Sequence, residues 1–220
     1  MGVVMGVDIG QKRDPTAIAV VEWEERVVGQ KVVKRGNVIV DRRDETEYHY
    51  TTRHLERLPL GTPYPDVARR VGQLAEGIKE RTGRRPSKLY VDATGVGQPV
   101  VDLLREYGVR SVGVYFNHGD KRVEVSRQQV NLGKAYLVSR LQSLLQSGRI
   151  HLPRSDEAQV LAQELMDYEI RVDQDANDRY GAFRVGTHDD LVTALGLAVQ
   201  AEPKHLFIGR ASGSYARIPV

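Results

Sequence analysis

The sequence predicts an α/β fold: a mixed sheet, formed by an antiparallel three-strand meander and then parallel strands, flanked by helices and carrying an added β-hairpin. Two patterns and one excess predict it. The β-branched runs at 3–8, 17–23 and 27–33 follow one another across short polar turns, as in an antiparallel meander. The later runs "SKLYVD" and "SVGVYF" alternate with stretches whose apolar residues recur at helical spacing, the signature of parallel strands joined by a helix. The excess is the segment 27–57, too long and too charged for a plain meander, which reads as a strand preceded by a basic, acidic hairpin around Gly36 and Asn37.

The elements follow in order. Residues 66–81 carry Val67, Val71, Leu74 and Ile78 on one helical face, and Gly83 stops the helix. A strand ending at Asp92 is followed by a glycine turn and a helix over 99–107, then by a strand over 111–116. A long helix is expected over 126–146, with Val130, Leu137, Leu141 and Leu144 on one side and Gly148 beyond it. A helix over 156–166, a hairpin formed by 168–172 and 180–185, and a last helix over 189–201 complete the domain, 1–202, and 203–220 forms a loosely held tail.

Composition narrows the function. The chain's 220 residues suit one large domain, and with 40% hydrophobic and 28% charged residues it has the material for a core. It has no cysteine, which excludes disulfide scaffolds, thiolate zinc sites and cysteine nucleophiles. No run approaches the roughly 20 apolar residues that span a bilayer, so the expected location is the cytoplasm, with no membrane partner. The net charge of +3 permits nucleic-acid binding without requiring it. The basic residues Lys34, Arg35, Arg42 and Arg43 of the hairpin, and Arg127, are the candidate DNA contacts.

The chemistry begins with Asp8, a carboxylate inside the apolar run "VVMGVDIG". A buried, uncompensated carboxylate costs several kcal/mol. Asp92 ends another apolar strand, and Asp189 and Asp190 begin an apolar helix. Turn formation accounts for Asp92 alone, and helix capping for Asp189 and Asp190 alone, but neither suits Asp8. Acids brought together are made compatible by divalent cations, and an all-oxygen set favours Mg2+ or Mn2+. Two such ions about 4 Å apart serve in-line displacement at phosphorus.

"GVDIGQKRDPTAIAVV", "LYVDATGVGQPVVDLL" and "GTHDDLVTALGLAV" together resemble the three acidic motifs of the nuclease domain of phage terminase large subunits, which has the ribonuclease H-like fold. The resemblance runs from about residue 3 to residue 200. It implies a two-metal DNA endonuclease of low sequence specificity that cuts concatemeric viral DNA in the host cytoplasm. Two Mg2+ or Mn2+ ions would be held by Asp8, Asp92 and one or both of Asp189 and Asp190, with Lys121 against the phosphate and Asp14 and His188 in auxiliary roles. The implied partners are double-stranded DNA, an ATPase motor domain or subunit, and other packaging proteins.

The chain contains no phosphate-loop motif of its own, since "NLGKAY" lacks the upstream glycine and the hydroxyl residue. The rival readings are a junction-resolving nuclease of the same fold, a sugar-kinase-like or actin-like ATPase, for which 220 residues hold only one of two lobes, and a non-catalytic DNA-binding or motor-docking module. "DQDAND" imitates a calcium loop but lacks its glycine and its final glutamate, and "GVGQP" is not a dinucleotide fingerprint.

Overall fold

Strand β1 (Gly2–Asp8) pairs antiparallel with β2 (Ala17–Arg35), Gly2 opposite Trp23 and Asp8 opposite Ala17. The second and third predicted strands are thus one strand: 24–26 is polar but has no glycine or proline, so nothing breaks the ladder. In turn β2 pairs with β3 (Val38–Arg57). Beyond Trp23 and Tyr50 these two strands leave the sheet as a two-stranded ribbon, which is the predicted hairpin. The ribbon is less polar than expected, because Val27, Val28, Val32, Val38, Ile39 and Val40 are exposed on it among its charges.

These coordinates are a computed structural model, which describes residues 1–10, 14–36, 38–95, 97–172, 178–181 and 188–200. The tail expected at 203–220, most of the loop 173–178 and the end of the second hairpin strand lie outside the described residues. After β3 come α1 (Tyr64–Thr82), β4 (Lys88–Asp92), α2 (Gln98–Glu106), β5 (Val112–Asn117), β6 (Arg122–Ser126), β7 (Gln129–Gly133) and α3 (Lys134–Gln146). They are followed by β8 (Ile150–His151), α4 (Asp156–Asp167), β9 (Glu169–Val172), β10 (Asp178–Gly181) and α5 (Asp190–Val199). The helix expected from residue 126 therefore starts only at Lys134. Its supposed first turns are the β6–β7 hairpin, where Val123 and Val125, then Val130 and Leu132, alternate with a period of two.

The main sheet has eight strands in the order β6-β7-β5-β4-β1-β2-β3-β8, with β1, β4, β5 and β7 parallel. Alternation divides the side chains between two cores. Met5, Val7, Ile18, Val20, Leu89 and Val91 face α1 and α2, whereas Val4, Ala17, Ala19, Val21 and Tyr90 face α3, α4 and α5. No helix among the described residues is long and apolar enough to cross a membrane.

Helix α5 is buried along its whole length, which explains why it is apolar on every side. It crosses β1 at Gly6, where an added Cβ would lie 2.1 Å from the Ala194 carbonyl and 2.6 Å from the Ala198 nitrogen. Its ends are tied by polar groups. At the C-terminus Arg140 donates from Nε to the Val199 carbonyl at 2.7 Å and from Nη2 to the Tyr50 hydroxyl at 2.9 Å, placing a cation against the negative end of the helix. At the N-terminus Glu164 of α4 accepts from the Leu191 and Val192 N–H groups at 3.0 and 3.2 Å. Arg57, the last residue of β3, grips Asp190 with two bonds of 2.7 and 3.1 Å and also contacts Glu164.

One guanidinium faces two carboxylates here, of which Asp190 is 3% exposed and Glu164 5%. Burial first, and Asp190 second, push the Glu164 carboxyl from 4.5 up to about 7, against Arg57 and the two helix N–H groups. Between those values the folded chain keeps a proton that the unfolded chain has released. The resulting stability is complete below 4.5 and is lost as pH rises through about 7. In metal-free melts the midpoint is therefore expected to fall between about pH 5 and about pH 8, and Glu164→Gln to flatten that fall. Gly6→Ala has no flexible neighbour to displace, so in urea denaturation it is expected to cost about 1–3 kcal/mol or more.

Candidate metal centre

Asp8 and Asp92 close two adjacent parallel strands. The register pairs Val7 with Val91, so the two carboxylates stand side by side at the C-terminal edge of the sheet, where sites on parallel sheets form. Alternation directs both to the face of Val4 and Tyr90, the side covered by α5. Helix α5, fixed by its contact at Gly6, brings Asp189 and Asp190 to the same place. After Asp92 the chain turns so tightly that a Cβ on Gly97 would lie 1.7 Å from the Asp92 carbonyl oxygen. The turn also holds the carboxylate, because the Thr94 N–H donates to Asp92 Oδ1 at 2.8 Å.

The acids act on one another. Burial raises the Asp8 carboxyl well above the ordinary range, and Asp92, Asp189 and Asp190 raise it further in that order. Burial also raises Asp92, against hydrogen bonds from Thr94, the charge of Lys134 and a hydrogen bond with Asp8. The two carboxyls thus behave as a proton-sharing pair. No three acidic or histidine side chains among the described residues converge into a ready-made cage. The donor chemistry nevertheless fits a hard divalent cation: the set offers only oxygens, and its members carry mutual repulsion that such an ion reverses.

Asp189 and Asp190 differ in what they already do. Asp189 is the N-cap residue of α5 but makes no side-chain capping bond, and the helix N–H groups are taken by Glu164 instead. Asp190 is held by Arg57. The predicted auxiliary pair is brought to the same corner, with His188 Nδ1 3.9 Å from both Asp14 Oδ1 and Asp190 Oδ1. A cavity of about 340 Å³ beside it is lined by Pro15, Arg57, Leu58, Pro59, Leu60 and His188.

The cation whose charge reaches both Asp8 and Asp92 is Lys134, the first residue of α3, where β7 ends. Lys121 is exposed on the β5–β6 loop, where its carbonyl accepts from the Gly133 N–H. Lys134 falls inside the stretch that reads from the sequence as one helix over 126–146, and only the fold places it at the junction of β7 and α3. Arg57 and Glu164 were also missed. Glu164 lies three residues after Leu161 on the buried face of α4, the same anomaly that marked Asp8.

The candidate DNA contacts do not gather at the acids. β2 begins opposite Asp8 and runs away from it, so Lys34 and Arg35 lie roughly 60 Å along the strand from that level. Arg42 and Arg43 are exposed on the returning strand, where Arg43 pairs with Asp41 at 2.7 Å. Arg127 occupies the β6–β7 turn, across the sheet from the ribbon.

Comparison with known proteins places the fold. No curated protein matches the chain. Among solved structures, the large terminase nuclease from thermophilic phage G20c superposes with a TM-score of 0.58 at 21% identity, covering 89% of this chain and 80% of that one. The same nuclease with bound magnesium gives 0.55 at 20% identity, covering 89% and 79%. The large terminase nuclease domain of Thermus phage P74-26 gives 0.54 at 18%, covering 89% and 77%. The family model described as the terminase RNaseH-like domain matches residues 5–202. With the mixed sheet and helices on both faces, that match means that the chain belongs to the terminase RNase H-like domain family.

Proposed function

We propose that this chain is a metal-dependent endodeoxyribonuclease of the terminase type that cuts double-stranded DNA with little regard to sequence. The observation that carries the reading is the pair Asp8 and Asp92, side by side at the C-terminal edge of the sheet, with burial first and then the charges of Asp92, Asp189 and Asp190 driving Asp8 toward protonation. Asp8, Asp92 and Asp189 are the residues that would hold two Mg2+ or Mn2+ ions. Ions held there supply the Lewis acidity that activates water and steadies the attacking and leaving oxygens of a phosphodiester.

The chain's own groups do the rest. Thr94 orients Asp92, and Arg57 fixes Asp190, so that Asp190 positions the helix start that presents Asp189. Lys134 sets a positive charge beside Asp8 and Asp92, where the negative charge of the phosphate and of its transition state would lie. Lys121, exposed on its loop, is placed for the phosphate backbone farther out. His188 and Asp14 flank the corner and can tune the acids by charge. The biological substrate on this reading is concatemeric viral DNA in the host cytoplasm, cut in concert with an ATPase motor and other packaging proteins. The ribbon's cations Lys34, Arg35, Arg42 and Arg43 would add phosphate contacts at a distance from the acids.

Plasmid incubated with Mn2+ is expected to be nicked and linearised, and chelator to stop the reaction; cutting that persists in chelator overturns the metal requirement, and strong preference for four-way junctions makes the protein a resolvase. Asp8→Asn is expected to abolish cutting while raising the metal-free melting temperature, because it removes a charge that burial and three acids oppose. Lys134→Ala is expected to slow cutting on the order of a hundredfold. The two aspartates of α5 should separate: Asp189→Asn loses the Mn2+-induced rise in melting temperature, whereas Asp190→Asn lowers metal-free stability by leaving Arg57 without its partner. Replacing the four ribbon cations by alanine should weaken duplex binding and reduce its dependence on salt, read by fluorescence anisotropy.

A further inference from the structure

A cavity of about 1290 Å³ lies at the opposite end of the sheet from the acids. Lys88 opens β4 and Asp92 closes it, which separates the two places by at least about 13 Å of strand. The walls come from the middle of α1, the segment leading into β4 and its first residues, the segment that joins α2 to β5, and the β6–β7 turn. Five cations line it against the single carboxylate of Glu76.

Two of the five are already engaged, Arg69 by Asp66 and Arg85 by Glu76 and the Gly108 carbonyl. The remaining three, Lys88, Arg110 and Arg127, form no ion pair among the described residues. Beside them stands Tyr107, 51% exposed at the end of α2, an aromatic ring that the fold does not use for packing. A groove with unpaired cations along it and an exposed aromatic ring is the arrangement that binds single strands, phosphates on the cations and a base on the ring. A duplex is stiff and presents a convex phosphate surface that would ride over the rim of such a groove.

We propose that this groove is a second nucleic-acid site, specific for single-stranded DNA, with Lys88, Arg110 and Arg127 on the phosphates and Tyr107 stacked on a base. The site stands on its own residues, and only the choice of DNA as the biological ligand rests on the nuclease reading.

The test is fluorescence anisotropy with a labelled oligothymidylate of about 12 nucleotides, in chelator so that cutting is silent. The triple variant Lys88→Ala, Arg110→Ala, Arg127→Ala is expected to bind at least about tenfold more weakly and to lose about 2 from the slope of log affinity against log salt. Tyr107→Ala should weaken binding severalfold without changing that slope, and melting curves confirm that both variants fold. Asp8→Asn should bind the oligonucleotide as the wild type does, so a protein that fails to cut plasmid but shows these losses retains the groove and loses only the nuclease assignment. Unchanged affinity and slope in the triple variant overturn the proposal. So does a loss of affinity in the triple variant that is larger for a duplex of equal length, or for oligoglutamate, than for the oligothymidylate, which would hand the groove to a duplex or to an acidic peptide.

Discussion

Everything at the acidic edge depends on how closely α5 lies on β1. Two backbones approach each other at Gly6 with no side chain between them. That contact sets the depth of the helix, and the depth sets where its first residues stand relative to Asp8, two positions farther along the strand. A helix held off by one methyl group would carry Asp189 away from the acids of β1 and β4. The full burial of α5, its tie to Arg140 and its tie to Glu164 all maintain the same placement.

The cluster is organised by a division of labour among carboxylates. Glu164 satisfies the helix N–H groups, Asp190 takes the arginine, and Asp8 and Asp92 share the opening at the ends of β1 and β4. Burial first and neighbouring negative charge second make Asp8 costly to ionise, and burial does the same to Asp92, which is the cost that a divalent cation reverses.

Much of this was legible in the sequence, for identifiable reasons. Asp8 stood out because a charge in an apolar strand has no ordinary explanation, and the alternation of runs exposed the meander and the parallel pair. The first part of the expected long helix was misread because Val130 stands seven residues before Leu137, a helical spacing, while it also alternates with Leu132 as in a strand. The roles of Asp189 and Asp190 were not separable, since what distinguishes them is a glutamate on α4 and an arginine on β3, brought to the helix only by the tertiary fold. The basic groove was invisible for the same reason: its cations come from three distant segments, and only the shared edge of the sheet makes them neighbours.

The continuity of β3 has a mechanical consequence. A single strand joins Val38, near the tip of the ribbon, to Arg57, which holds Asp190. A load applied at the tip along the strand would be borne in shear by a long ladder of hydrogen bonds before reaching that arginine. The ladder is not uniform, because irregularities between Val20 and Val21, Val27 and Gly29, and Val33 and Lys34 divide it into segments that can bend without sliding. The ribbon is therefore built as a jointed lever, stiff along its length and compliant at two points, with a third joint inside the sheet and its short arm resting on the start of α5.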